Sequence, residues 1–110
     1  MSVPASVHDY ESLLRRRAEG GRPYLEFLRA GTMSVGIYAL SAGGVDGQSP
    51  HDQDEVYVVV RGQACMTIGD ETHEVAPGTT IFVPAGVPHR FHDIADELHV
   101  LVVFAPAETE

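Results

Sequence analysis

The residues best suited to chemistry lie in two short stretches. In the first, His51, Gln53, Glu55 and Tyr57 occupy every second position. In an extended strand, residues two apart share a face, so these four are expected to point one way. An imidazole and a carboxylate on one strand face can jointly grip a divalent metal at about 2.0–2.2 Å. The second stretch holds His89, Phe91 and Asp93, and His89 arriving from another strand would complete a set of two histidines and one carboxylate. Such a set leaves coordination positions open and suits Fe(II), with Mn, Co, Ni or Zn as other occupants. Taken singly, each residue has a plainer reading: His51 as a solvated loop residue, Glu55 as a surface carboxylate. Tyr57 continues the same face as a candidate general acid or base, or as a group that orients substrate. A tyrosine that fills core space with its hydroxyl satisfied is the competing reading.

Side chains so placed need strands to carry them. Residues Ser6 to Glu19 read as a helix, with Ser6 and Asp9 resembling a capping box, Leu13 and Leu14 as its apolar face, and Gly20-Gly21 as its stop. Arg15, Arg16 and Arg17 suit the negative end of the helix dipole and read as a solvated helix end. Beyond it the pattern changes to short alternating runs at 24–28, 33–40, 55–60, 64–68, 72–75, 80–83, 89–92 and 98–104. Gly, Pro or Asp bounds each run, and many short strands with regular turn signals indicate a β-sandwich or barrel. Only the ends, Met1 to Ala5 and Ala107 to Glu110, look frayed.

The segment from Pro50 through His51 and Glu55 to Gly62 resembles the first motif of the cupin superfamily, with six residues between Glu55 and Gly62. Gly78, Pro84, Gly86 and His89 fall in register with the second cupin motif, and Asp93 stands where asparagine is usual. Fifteen residues separate Gly62 from Gly78, and the resemblance spans roughly residues 33 to 104. It implies an all-β, double-stranded β-helix or jelly-roll barrel with a short N-terminal helix. The division is an N-terminal helix and arm over 1–30, a barrel over 31–106 and a tail over 107–110. Carried over residue by residue, it makes His51, Glu55 and His89 the metal ligands. The family's first histidine falls on Ser49, so its position is lost, served by water, or filled by the amide oxygen of Gln53. The favoured arrangement has three protein ligands, with Gln53, Ser49, Phe91 and Arg61 around them or against substrate. The implied protein is an enzyme that uses a divalent metal on a small organic molecule, as an oxygenase, isomerase, cyclase or lyase. The alternative is a non-catalytic ligand-binding or metal-free scaffold cupin. Open strand edges, and the family, suggest a C2 homodimer.

Composition narrows the remaining choices. The chain has 110 residues, seven Arg, no Lys and a net charge of −9, so nucleic acid and anionic membranes are poor partners. Cys65 is the single cysteine and cannot form an intrachain disulfide; it reads as a packing residue. No window approaches the roughly 20 apolar residues of a membrane span. The N-terminal stretch lacks a basic start and apolar run, so a cytoplasmic protein is expected. His8 reads as solvated. His73, His92 and His99 have no motif partners, and His99, between apolar neighbours, reads as a hydrogen-bonded core histidine. Arg61 reads as a surface residue that could alternatively reach inward to a carboxylate.

Overall fold

The computed structural model describes residues 3–109. Helix α1 spans Tyr10–Gly20, and eight strands follow: β1 Tyr24–Arg29, β2 Ser34–Leu40, β3 Asp54–Arg61, β4 Ala64–Ile68, β5 Glu71–Val75, β6 Thr80–Val83, β7 His89–His92 and β8 Leu98–Ala105. Every strand expected from the alternation is present, with ends within one residue of the expected positions. The helix starts later than expected. Asp9, not Ser6, is its cap: Asp9 keeps extended backbone and its carboxylate accepts from the Ser12 N–H at 3.1 Å. That bond satisfies one of the free N–H groups of the first turn, and Ser6 is left in the preceding extended segment. The Ser6 hydroxyl pairs instead with His8.

The strands form a five-stranded sheet in the order β1-β2-β8-β3-β6 and a three-stranded sheet in the order β5-β4-β7, with every pairing antiparallel. Inward positions of β3 (Tyr57, Val59), β4 (Ala64, Met66), β7 (Phe91) and β8 (Leu98, Val100, Val102, Phe104) share one core. Burying one such large apolar side chain contributes about 1.5–3 kcal/mol. This is an all-β jelly-roll sandwich with one short helix outside. The helix docks by burying Leu13 and by a 2.6 Å contact between the Tyr10 hydroxyl and His99 Nδ1. His99 is buried and its Nε2 lies 2.6 Å from Glu97, so it is the hydrogen-bonded core histidine that its apolar neighbours suggested.

Two glycines shape the turns that matter. Gly62, at φ 95°, lets β3 reverse into β4 where a Cβ would meet the Glu97 carbonyl oxygen at 2.4 Å. Gly86, at φ 79°, donates its N–H to the His51 carbonyl at 2.7 Å. That bond ties the loop before β7 to the loop before β3, the two loops that deliver His89 and His51.

The tail is held more firmly than its composition suggested. After β8 the chain returns across the sandwich. Glu108 N–H donates to Ser34 Oγ at 2.9 Å, and Arg29 donates to the Glu108 carbonyl at 2.6 Å. Gln53 donates to Thr109 Oγ1 at 3.0 Å. Glu108 and Thr109 are therefore held by Ser34, Arg29 and Gln53, all far along the chain. Met1, Ser2 and Glu110, expected to be frayed, lie outside the described residues.

Candidate metal centre

β3 presents Glu55 and Tyr57 inward on alternate positions, β7 opens with His89, and His51 stands in the loop before β3. One ligand atom from each of His51, Glu55 and His89 lies within 4.8 Å of the others. His89 Nε2 is 3.1 Å from Glu55 Oε1, and both side chains are 1% exposed. The other ring nitrogen, Nδ1, lies 2.8 Å from the Val87 carbonyl. A carbonyl only accepts, so Nδ1 carries the hydrogen and Nε2 is aimed at the carboxylate. Neither oxygen of Glu55 has a hydrogen-bond partner; the approach of His89 is an ion-pair contact. A buried carboxylate without hydrogen bonds is strongly disfavoured unless a positive charge sits beside it. Two species can supply that charge: a proton on His89 Nε2 or a cation between the three side chains. Burial by itself lowers the His89 pKa. Glu55, the Val87 carbonyl and Asp46 outweigh it, and the net shift is upward. The donor set of two imidazoles and a carboxylate fits a divalent ion, and the unpartnered carboxylate supports that fit.

Beside His51 and Glu55 is a cavity of about 160 Å3, walled by Tyr24, Tyr38, Tyr57, Val102 and Phe104, with Gln48 and Glu108 supplying polar atoms; His89 is not among the residues lining it. No lysine or arginine is among the described residues that line it. The Tyr57 hydroxyl donates to Gln48 Oε1 at 2.7 Å and lies 3.0 Å from His89 Nε2. Burial first, then the Glu55 carboxylate, push the Tyr57 pKa far up, so the group acts as an O–H donor and not as a base. Phe91 packs edge-on against Tyr57 with ring centroids 5.1 Å apart; it supports the site from the core and does not line the cavity. Behind Gln48 sits Asp46, 6% exposed. It accepts from Tyr38 Oη and Gln48 Nε2, each at 2.6 Å, and from the Phe91 N–H at 2.9 Å. His51 Nδ1 is 3.0 Å from Glu108 Oε2, and its Nε2 is 3.5 Å from Gln48 Oε1.

The other expected site residues lie elsewhere. β3 begins only at Asp54, so residues 51–53 form a bend and the period of two does not extend back to Gln53. Gln53 is buried, but its amide is turned to Thr109 and is not among the residues lining the cavity. Ser49 is exposed. Arg61 is exposed at the opposite end of β3, six residues beyond Glu55 and so roughly 20 Å along the strand. Cys65, His92 and Asp93 form a second cluster of metal-ligating types among the described residues. The nitrogens of His92 are already taken there, by Asp93 Oδ2 and Thr67 Oγ1, each at 2.7 Å. Sequence reasoning missed Asp46, Gln48 and Glu108. Gln48 is one residue from the Ser49 gap, a usable hint; nothing in the pattern marks Asp46 or Glu108.

With this geometry described, comparison with known proteins is informative. The family model for the cupin domain matches residues 36–105, and the chain belongs to that family. An uncharacterized protein of Streptomyces coelicolor is 54% identical over 99 residues, 90% of this chain and 94% of that protein. A Thermus thermophilus protein of known structure superposes with a TM-score of 0.74 at 30% identity, over 92% of this chain and 97% of that one. The DMSP lyase DddQ of Ruegeria pomeroyi shares the fold at 22% identity and a TM-score of 0.65, over 69% of this chain and 39% of that one.

Proposed function

We propose that this cupin binds a divalent metal through His51, Glu55 and His89 and acts on a small organic molecule held in the adjoining cavity. The observation that carries the reading is the buried Glu55 carboxylate, free of hydrogen bonds and flanked by two imidazoles. A metal so held supplies Lewis acidity or redox chemistry toward a substrate oxygen or dioxygen. The chain's own residues do the rest. Tyr57 lines the cavity wall, with its O–H held by Gln48 Oε1. Tyr24, Tyr38 and Phe104 exclude water and pack against an apolar ligand body. With no lysine or arginine on the cavity wall among the described residues, recognition beyond the metal rests on aromatic contact and a few polar atoms. Oxygen-dependent cleavage, isomerisation, cyclisation and elimination all fit this equipment. The likeness to a lyase favours elimination only at the level of the fold.

One observation favours a second reading. His89 and Glu55 can neutralise each other as an imidazolium–carboxylate pair, which suits a metal-free binding or scaffold cupin. Metal analysis of untagged protein prepared without chelators separates the two. The enzyme reading expects close to one equivalent, lost in His51→Ala, Glu55→Ala and His89→Ala with the fold retained. No bound metal, and no uptake from added Fe(II), Mn(II), Co(II), Ni(II) or Zn(II), would leave the scaffold reading.

A further inference from the structure

We propose that Gln48 supplies a fourth protein donor to this centre, its amide oxygen turned toward His51 by the buried carboxylate of Asp46. The inference rests on His51, Glu55 and His89 being ligands, and it assigns the family position that Ser49 leaves empty to the residue beside it.

An amide can present either its oxygen or its nitrogen, and its surroundings decide which. Gln48 Nε2 lies 2.6 Å from Asp46 Oδ2. A carboxylate only accepts, so the nitrogen is fixed on that side and the oxygen on the other. Asp46 cannot turn away, because it also holds Tyr38 Oη and the backbone N–H of Phe91. On the far side, Gln48 Oε1 receives the Tyr57 O–H at 2.7 Å. A carbonyl oxygen has two lone pairs, and Tyr57 occupies one. The second is available on the side where Oε1 approaches His51 Nε2 at 3.5 Å. Two donors bound to one ion at about 2.1 Å stand roughly 3.0 Å apart at 90° and roughly 3.4 Å at the tetrahedral angle, so the observed spacing is compatible with two ligands of one metal. Tyr57 Oη, 3.0 Å from His89 Nε2, connects the same oxygen to the other imidazole. An amide oxygen added to two imidazoles and a carboxylate gives an N2O2 set, suited to Mn, Fe or Zn more than to soft Cu(I).

The test uses Mn(II) as probe on the full chain, comparing wild type with Gln48→Ala and Gln48→Leu. Two quantities are read: Mn(II) affinity, and the number of exchangeable waters on the bound ion from water-proton relaxivity. Melting curves confirm folding. Gln48→Ala is expected to bind Mn(II) at least about tenfold more weakly and to gain one bound water. Gln48→Leu, which fills the same space without a donor atom, is expected to show the same loss and the same added water. Unchanged affinity and water number in Gln48→Ala would overturn the assignment, while the three-ligand reading stands. Weaker binding with an unchanged water number would overturn it too, making Gln48 a positioning residue only. Failure of the wild type to bind Mn(II) would overturn the three-ligand reading for this ion and this assignment with it.

Discussion

Glu55→Gln is the change that weighs the metal site against the buried ion pair. In the wild type without metal, Glu55 is buried, both its oxygens lack hydrogen bonds, and its compensation is His89 at 3.1 Å. Each unsatisfied buried polar atom costs about 1–3 kcal/mol. Replacing a whole buried ion pair by hydrophobic groups of similar volume is often neutral or stabilising by about 1–4 kcal/mol. Removing one partner is costly where the other keeps its charge, which His89 can shed. Glutamine keeps the shape, removes the charge, and can donate its amide N–H to a neutral His89 Nε2. Metal-free Glu55→Gln is therefore expected to be as stable as the wild type or up to about 3 kcal/mol more stable. For a domain of this size each kcal/mol moves Tm by roughly 4–8 °C. Metal acts in the opposite sense: a ligand at 100 times its Kd adds about 2.7 kcal/mol to the wild type, a rise of about 10 °C or more, and nothing to a variant that cannot bind it. The assay is a thermal melt of both proteins, in chelator and in excess metal. A variant whose metal-free form loses about 3 kcal/mol or more would refute the reasoning. The Glu55–His89 pair would then be a structural brace.

Three further outcomes follow from the geometry. The His89 pKa is raised, so its contribution to metal-free stability is present below the ordinary imidazole value and fades as pH rises through the raised one. Metal must displace that same proton, so affinity climbs over the same interval. Melts and metal titrations across pH are expected to move in opposite directions, and parallel trends would contradict the shared site. Glu108 Oε2 stands 3.0 Å from His51 Nδ1 as an ion-pair contact on the side away from Gln48; Glu108→Ala is expected to weaken metal binding by about 10–100-fold in an isothermal titration. β1 is an edge strand of the larger sheet, and pairing through such an edge gives a C2 dimer. Light scattering at micromolar concentration is expected to report twice the chain mass, and a monomer would contradict it.

Local rules made most of the fold and the three candidate ligands legible. Alternating apolar residues on β3 and β8 mark strands because the pleat repeats every second residue, and Gly62 and Gly86 punctuate them because only glycine tolerates those turns cheaply. The spacing of His51 and Glu55 to Gly62, and of Gly78 to His89, was enough to name the family and to bring forward the His51, Glu55 and His89 cluster that the fold assembles. The start of α1 was misjudged because Ser6 and Asp9 are both competent caps, and only packing of Tyr10 and Leu13 selects between them. The choice between Gln53 and Gln48 was not legible at all. Both precede β3 in a loop, where side-chain direction has no period. Contacts far along the chain set it instead: Thr109 takes Gln53 away, while Asp46, anchored to the Phe91 N–H 45 residues distant, turns Gln48 inward. Sequence determined which residues could ligate because motif spacing is a local property of strands and turns. Tertiary structure decided which polar groups face them, because an amide or a tail carboxylate points wherever its distant hydrogen-bond partners hold it.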